Sequence, residues 1–315
     1  MRVLVTGADG FVGRRLVRAL LARHHEVVAA CRPGGPPVAA WLGPDADRVR
    51  CVPLELADPT PVPLGPERID AVAHLAAVSS GAAARDDPAY AWEVNAVGTV
   101  RLLAALADRR RERGEDPLVL LVSSGEVYGI GEPRPRRETN PVAPVAPYAT
   151  TKAATELVGL EYWRRTALRV VIARPFPHTG GGQSPAFVVP GFVARLREAR
   201  RSGARTVTTG NLDPVRDLLD VRDVVAAYLG LLERGEPGEI YNVARGEGLA
   251  IRELFERLAR LIELDVVPQV DPALLRSGDI PHLVGDRSKL ERATGWRPTI
   301  TLDETLQGVV DAEAD

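Results

Sequence analysis

The chain has 315 residues, with 42 acidic and 40 basic side chains and a formal net charge of −2. No bulk field therefore draws it to nucleic acid or to an anionic membrane. No apolar run reaches the ~18 residues of a membrane span, and the chain opens straight into a strand without signal-peptide order, so a cytoplasmic protein is expected.

"RVLVT" (Arg2 to Thr6) predicts a strand, and "TGADGFVG" follows with Gly7, Gly10 and Gly13 at G-x-x-G-x-x-G spacing. Glycines between strand and helix allow a tight turn and a close backbone approach to a pyrophosphate. The first helical turn, with Phe11 and Val12, supplies unpaired N–H groups for it. "EVVAAC" is the second strand. A site for NAD(H) often has an acid at its end, whereas here Arg32 stands there, a donor suited to a 2′-phosphate. NADP(H) is the preferred cofactor, with NAD(H) as the alternative. "VRCVPL" is a third strand, and "LELAD" sets Glu55 and Leu56 at the adenine edge. Cys31 and Cys51 lack metal spacing and are expected to be buried small hydrophobes. "IDAVAHLA" is a fourth strand, with His74 expected to be hydrogen-bonded at its end.

A long helix is predicted over residues 88–113, closing on a basic cluster (Arg109, Arg110, Arg111, Arg113) expected to be a solvated face at the negative end of the dipole. "PLVLLVSS" is a strand that leaves Ser123, Ser124 and Glu126 past its carboxyl end, where doubly wound sheets bind ligands. Residues 148–165 are a predicted helix with Tyr148 and Lys152 one turn apart on one face. Only Lys152 and Lys289 among the forty basic residues are lysines. A compact ammonium beside a phenol stabilises tyrosinate and so lowers its pKa, a point-like role that a planar guanidinium does not fill.

"LRVVIARP" completes a set of continuous apolar strands alternating with helices. The predicted fold is α/β, a doubly wound parallel Rossmann sheet over residues 1–175 that carries the cofactor and the Ser/Tyr/Lys set. Beyond Pro175 the strands shorten ("RTVTTG", "EIYNVA", "VVPQV"). Residues 176–315 read as a smaller, mainly nucleotide-sugar-binding α/β subdomain interleaved with the first.

The motifs TGxxGxxG, "HLAAVSS", the serine-to-"VYG" segment and Y-x-x-x-K together resemble the extended short-chain dehydrogenase/reductase family, which works on nucleotide sugars. "RPFPHTGGGQ", "GNLDPVRDLLDVRDVVAAY" and "GDRSKLERATGWRPTITLDETL" resemble its branch of GDP-6-deoxymannose reductases and GDP-mannose 4,6-dehydratases. The resemblance implies catalytic Ser124, Tyr148 and Lys152 with Glu126 beside them, and Leu75, Ala76 and Ala77 against the cofactor. It also implies Ser79, Asn211, Arg216, Arg276 and Asp279 on a nucleotide-sugar substrate, and a homodimer through the helical faces of 101–107 and 155–163. The chain departs from the branch at Pro177, where asparagine is common, and at Gly182, where proline is usual. The expected activity is NADPH-dependent reduction of the 4-keto group of a nucleotide-linked 4-keto-6-deoxy sugar. The alternatives are a 4,6-dehydratase with Glu126 as base, a C4 epimerase, and a non-enzymatic NADP(H) sensor, for which an activated tyrosine has no use.

Overall fold

Alternating strands and helices begin with β1 (Arg2–Thr6), α1 (Phe11–Ala22), β2 (Glu26–Cys31), α2 (Val38–Leu42), β3 (Val49–Pro53) and β4 (Ala71–His74). The structure is a computed structural model and describes residues 1–60, 62, 64–275 and 278–312. After β4 come α3 (Gly81–Asp86) and α4 (Pro88–Trp92), and a π-turn at Glu93–Val97 leads into α5 (Gly98–Arg113). β5 (Leu118–Val122), α6 (Pro147–Thr166) and β6 (Arg169–Pro175) follow. The rest of the chain runs through β7 (His178–Thr179), α7 (Val188–Ser202), β8 (Thr206–Thr209), β9 (Val215–Asp217), β10 (Leu219–Asp220), α8 (Val221–Arg234) and β11 (Ile240–Val243). It ends with β12 (Gly248–Ala250), α9 (Ile251–Leu261), β13 (Val267–Val270), β14 (His282–Leu283), α10 (Ser288–Thr294) and α11 (Leu302–Ala312).

The main sheet is parallel, in the order β3-β2-β1-β4-β5-β6-β11. Its apolar strands are buried on both faces, as such a sheet requires. Val3, Val5, Ala71 and Ala73 pack against Leu16 and Leu20 of α1 and Val224 and Tyr228 of α8. Leu4, Val72 and Val119 face the other way, against Leu102 and Leu106 of α5 and Tyr162 of α6. The strand order reverses between β1 and β4, which opens a crevice at their carboxyl ends.

A second core gathers α7, α9 and α11, with Phe192 and Phe255 edge to face at 5.4 Å. β9 lies between β12 and β14, and β8 pairs with β13. Phe176, Tyr128, Ile280 and Leu283 form a small cluster that joins this part to the carboxyl end of the main sheet.

Three expectations change. The "EIYNVA" segment, read with the smaller part, supplies β11, the seventh strand of the main sheet, because its backbone pairs with β6 from Ile172 to Pro175. Arg109 is buried rather than solvated: it meets Glu115 at 2.7 Å and donates to the carbonyls of Leu64, Gly65 and Glu67. Cys31 is buried but Cys51 is exposed, since β3 is an edge strand.

Candidate active site

β1 delivers Thr6 to the crevice, where its hydroxyl accepts from the N–H groups of Leu75 (3.2 Å) and Ala76 (3.1 Å). Gly7 has φ +64°, and a Cβ there would stand 2.9 Å from the Ala76 nitrogen. A Cβ on Gly13 would come within 2.1 Å of the Gly7 carbonyl oxygen. Loop, helix and the start of the Leu75–Ala77 segment are therefore pressed together at backbone distance, the cradle a pyrophosphate needs. α1 starts at Phe11 with no side-chain cap on its N-terminus, so its first N–H groups remain for an anion. Val12 is partly buried beside them. These residues fit a dinucleotide.

Arg32 is exposed just past β2. Glu55 is partly buried and accepts the Ala57 N–H at 3.1 Å, while Leu56 is buried. His74 is satisfied at both nitrogens, by Thr6 Oγ1 at 2.8 Å and Thr99 Oγ1 at 3.0 Å. Burial lowers its pKa to about 3, with the charge of Lys152 adding to the effect. It is a neutral structural histidine, as its position predicts.

Across the crevice, Ser124 caps the short turn of Gly125–Tyr128, its Oγ accepting the Glu126 N–H at 3.2 Å. Pro147 opens α6 and sets Tyr148 in its first turn. Burial pushes the Tyr148 phenol up and the Glu126 carboxylate adds to that; the Ser124 hydroxyl opposes it. Lys152 is 5% exposed, and its Nζ donates to the Val122 carbonyl at 2.7 Å. Burial lowers its pKa to about 8, against the opposing charge of Glu156. The expected lowering of the tyrosine by the lysine is thus not the balance found here. The ammonium is seated on the end of β5, and Tyr148 answers to burial and Glu126 first.

Some contributors carry little signal in the sequence. Asn95 lies in the π-turn, an irregularity often placed at functional sites. Its amide ties Val78 (2.7 Å and 3.2 Å) to Thr151 (2.9 Å) on α6. The one clue is a polar residue inside the apolar run "WEVNAVG". Glu156 and Arg174, 2.6 Å apart and both buried, stand behind Lys152.

On the substrate side, Arg216 donates to Asp279 at 2.7 Å and to the Ile280 carbonyl at 2.6 Å, which brings two of the expected residues together. Arg276 lies outside the described residues. Asn211 is exposed, its Oδ1 accepting the Asp213 N–H at 3.1 Å, and Ser79 is exposed at the crevice end of the segment after β4. A Cβ on Gly125 would meet three atoms of the Phe176 ring at 3.1 Å. Pro177 is partly buried and its carbonyl accepts the Leu219 N–H. Gly182 has φ +75°, a backbone that the usual proline cannot adopt.

The chain matches the family model described as GDP-mannose 4,6 dehydratase over residues 4–309. It is 36% identical to the GDP-6-deoxy-D-mannose reductase of Pseudomonas aeruginosa, over 98% of this chain and 96% of that one. The solved structure of RMD from Pseudomonas aeruginosa complexed with NADPH superposes with a TM-score of 0.82 at 34% identity, covering 99% of this chain and 98% of that chain. DesIV, a dTDP-glucose 4,6-dehydratase from Streptomyces venezuelae with NAD and TYD bound, gives a TM-score of 0.87 at 30% identity, covering 100% and 97%. Fold, glycine cradle, Ser–Tyr–Lys set and whole-length similarity agree, and the chain belongs to the GDP-mannose 4,6-dehydratase family of extended short-chain dehydrogenases/reductases.

Proposed function

We propose that this enzyme reduces the 4-keto group of a nucleotide-linked 4-keto-6-deoxy sugar of the GDP-4-keto-6-deoxymannose type, using NADPH. The observation that carries the reading is Gly125 beneath Phe176. Dehydration across C5 and C6 must remove a weakly acidic proton and protonate a leaving hydroxyl, so it benefits from a base and an acid at that end of the sugar. Glu126 is one such group, but position 125 has no side chain, and the buried Phe176 ring occupies the space for one. Reduction needs neither.

The Gly7–Gly13 loop, the first turn of α1, Leu75 to Ala77 and Arg32 would hold the dinucleotide, which when bound supplies the hydride. Ser124 holds the ketone oxygen and Tyr148 gives that oxygen its proton, so the carbonyl becomes a hydroxyl. Burial and Glu126 keep Tyr148 protonated before the step. The Lys152 ammonium offsets the tyrosinate left after it. Arg216, with Asp279 fixing its fork, would serve the nucleotide diphosphate, and Asn211 and Ser79 would contact the rest of the same substrate. Two copies would pair through α5 and α6, whose outward apolar groups include Val100 and, at 71% exposure, Leu157, with Val97 of the π-turn beside them in sequence.

The test is product analysis. A 4-keto-6-deoxy sugar nucleotide should oxidise NADPH mole for mole, and GDP-mannose should yield no 4-keto product. Dehydration of GDP-mannose without net NADPH use would instead establish the dehydratase reading, with Glu126 as the base.

A further inference from the structure

Behind Lys152 lies a chain of buried polar groups that none of the roles above employs. Glu156 follows Lys152 by one turn of α6 and is 4% exposed. Its Oε1 accepts from Ser123 Oγ at 2.5 Å and from Arg174 Nε at 2.8 Å; its Oε2 accepts from Arg174 Nη2 at 2.6 Å. Arg174 is 2% exposed and lies over the Tyr128 ring at 4.7 Å, and the Tyr128 hydroxyl donates to Asn242 Oδ1 at 2.7 Å. The carboxylate is thus fixed from three places: the residue just past β5 through Ser123, β6 through Arg174, and α6 itself.

Burying such a pair is expensive and often adds nothing to stability, so its position calls for another account. Ser123 immediately precedes Ser124, and Val122, whose carbonyl seats Lys152, immediately precedes Ser123. The titratable or charged groups around Lys152 are Tyr148 and Glu156 on α6, His74 at the end of β4 and Arg174 on β6 behind Glu156. His74 is neutral. Glu156, buried one helical turn from the lysine and tied to Ser123 beside the Val122 seat, is the negative group whose charge raises the lysine's pKa.

We propose that Glu156 is a positioning residue for the catalytic lysine. Gripped by Ser123 and Arg174, its carboxylate keeps the Lys152 ammonium charged and seated on the end of β5. The inference rests on Lys152 having its proposed catalytic role, and it assigns the upper pH limit of that role to a residue that touches neither substrate nor cofactor. Burial alone would drive the ammonium toward the neutral amine; the carboxylate behind it resists this.

The near-absence of lysine from the chain makes a direct test practical. Protein labelled with ¹³C at the lysine ε-carbon gives two resonances, from Lys152 and Lys289. Lys289, paired with Glu239 at 2.6 Å, serves as the internal reference. In the wild type the Lys152 resonance should titrate near 8. In Glu156→Gln it should titrate at least about one pH unit lower, a tenfold loss of proton affinity, with Lys289 unmoved. Glu156→Asp should recover part of the loss. If the single variant does not fold because Arg174 is left unpaired, Glu156→Gln/Arg174→Gln removes both charges and should shift Lys152 in the same direction. The alkaline limb of kcat/KM should move with the resonance. A Lys152 titration at the wild-type pH in a folded variant lacking the Glu156 charge overturns the proposal. The titration needs no turnover, so it stands apart from the reductase reading, which falls if the wild type oxidises no NADPH with any 4-keto sugar nucleotide.

Discussion

Adding one methyl group at Gly125 tests the packing argument at its narrowest point. An ideal Cβ there would lie 3.1 Å from Cγ, Cδ2 and Cε2 of Phe176, about 0.4 Å inside the ordinary carbon–carbon separation of ~3.5 Å. The ring has little room to yield. It is 1% exposed, Tyr128 stacks on it with centroids 6.3 Å apart, and the Gly285 backbone lies so close that a Cβ there would be 2.5 Å from the ring. Forcing a methylene-sized group into such packing costs about 1–3 kcal/mol. With an m-value of ~3 kcal/mol/M, the urea midpoint of Gly125→Ala should fall by ~0.3–1 M. The turn that absorbs the strain carries Ser124 and Glu126, and a misplacement of about 1 Å at reacting groups can cost about 100-fold. We expect kcat/KM for the 4-keto substrate to drop ~10–100-fold while NADPH affinity stays within a few-fold. Phe176→Leu, which frees space at the ring edge, should recover part of both losses in the double variant, a coupling that separate sites would not show. A Gly125→Ala enzyme with wild-type midpoint and activity, or strict additivity in the cycle, would refute the reasoning.

Tyr148→Phe should remove the proton donor and cost at least ~100-fold in kcat with NADPH binding nearly intact; turnover within a few-fold of wild type would sink the assignment. Lys152→Arg keeps the charge but puts a planar fork into a seat that is 5% exposed and 2.7 Å from a carbonyl. Most activity should vanish, and a fully active variant would mean that charge alone matters. Arg32→Ala should weaken NADPH by about 1.5–3 kcal/mol and leave NADH almost unchanged; equal losses on both, measured by fluorescence titration, would return Arg32 to the solvated surface. Because Lys152 acts as the ammonium and burial holds its pKa at about 8, kcat/KM should be flat just below that pH. It should fall as pH rises through it, and a profile flat to pH 9.5 would contradict the role.

What could be read from the sequence was what local chemistry writes into a few adjacent residues. The glycine spacing, the Tyr148–Lys152 turn and the continuous apolar strands each follow from covalent neighbours, and each stands where expected. Membership of β11 in the main sheet was hidden because strand pairing depends on a partner about 68 residues upstream, and "EIYNVA" carries no mark of that partner. Arg109 looked like one of several helix-end cations. Only the turn after α5, which brings Glu115, together with the carbonyls of Leu64, Gly65 and Glu67 from the segment before β4, makes it a buried ion. The Glu156–Arg174 pair was hidden for the same reason: a helix face and the next strand meet only in three dimensions, and either residue alone reads as a surface charge.

The protonation states at the site suit the starting state of a reduction. Reduction consumes a proton at the substrate oxygen, so the donor must begin as the phenol. Burial and Glu126 both hold Tyr148 in that form. Alcohol oxidation would need the tyrosinate first, and the same two forces oppose it. A dedicated reductase needs the phenol at the start and a cation to receive the tyrosinate at the end. Lys152 is that cation provided it stays charged, and at a burial of this depth it does so with the Glu156 carboxylate behind it. Tyr148 and Lys152 are thus each held in the protonated form by a carboxylate: the acid by Glu126 from the Ser124 turn, the ammonium by Glu156 one turn further along α6.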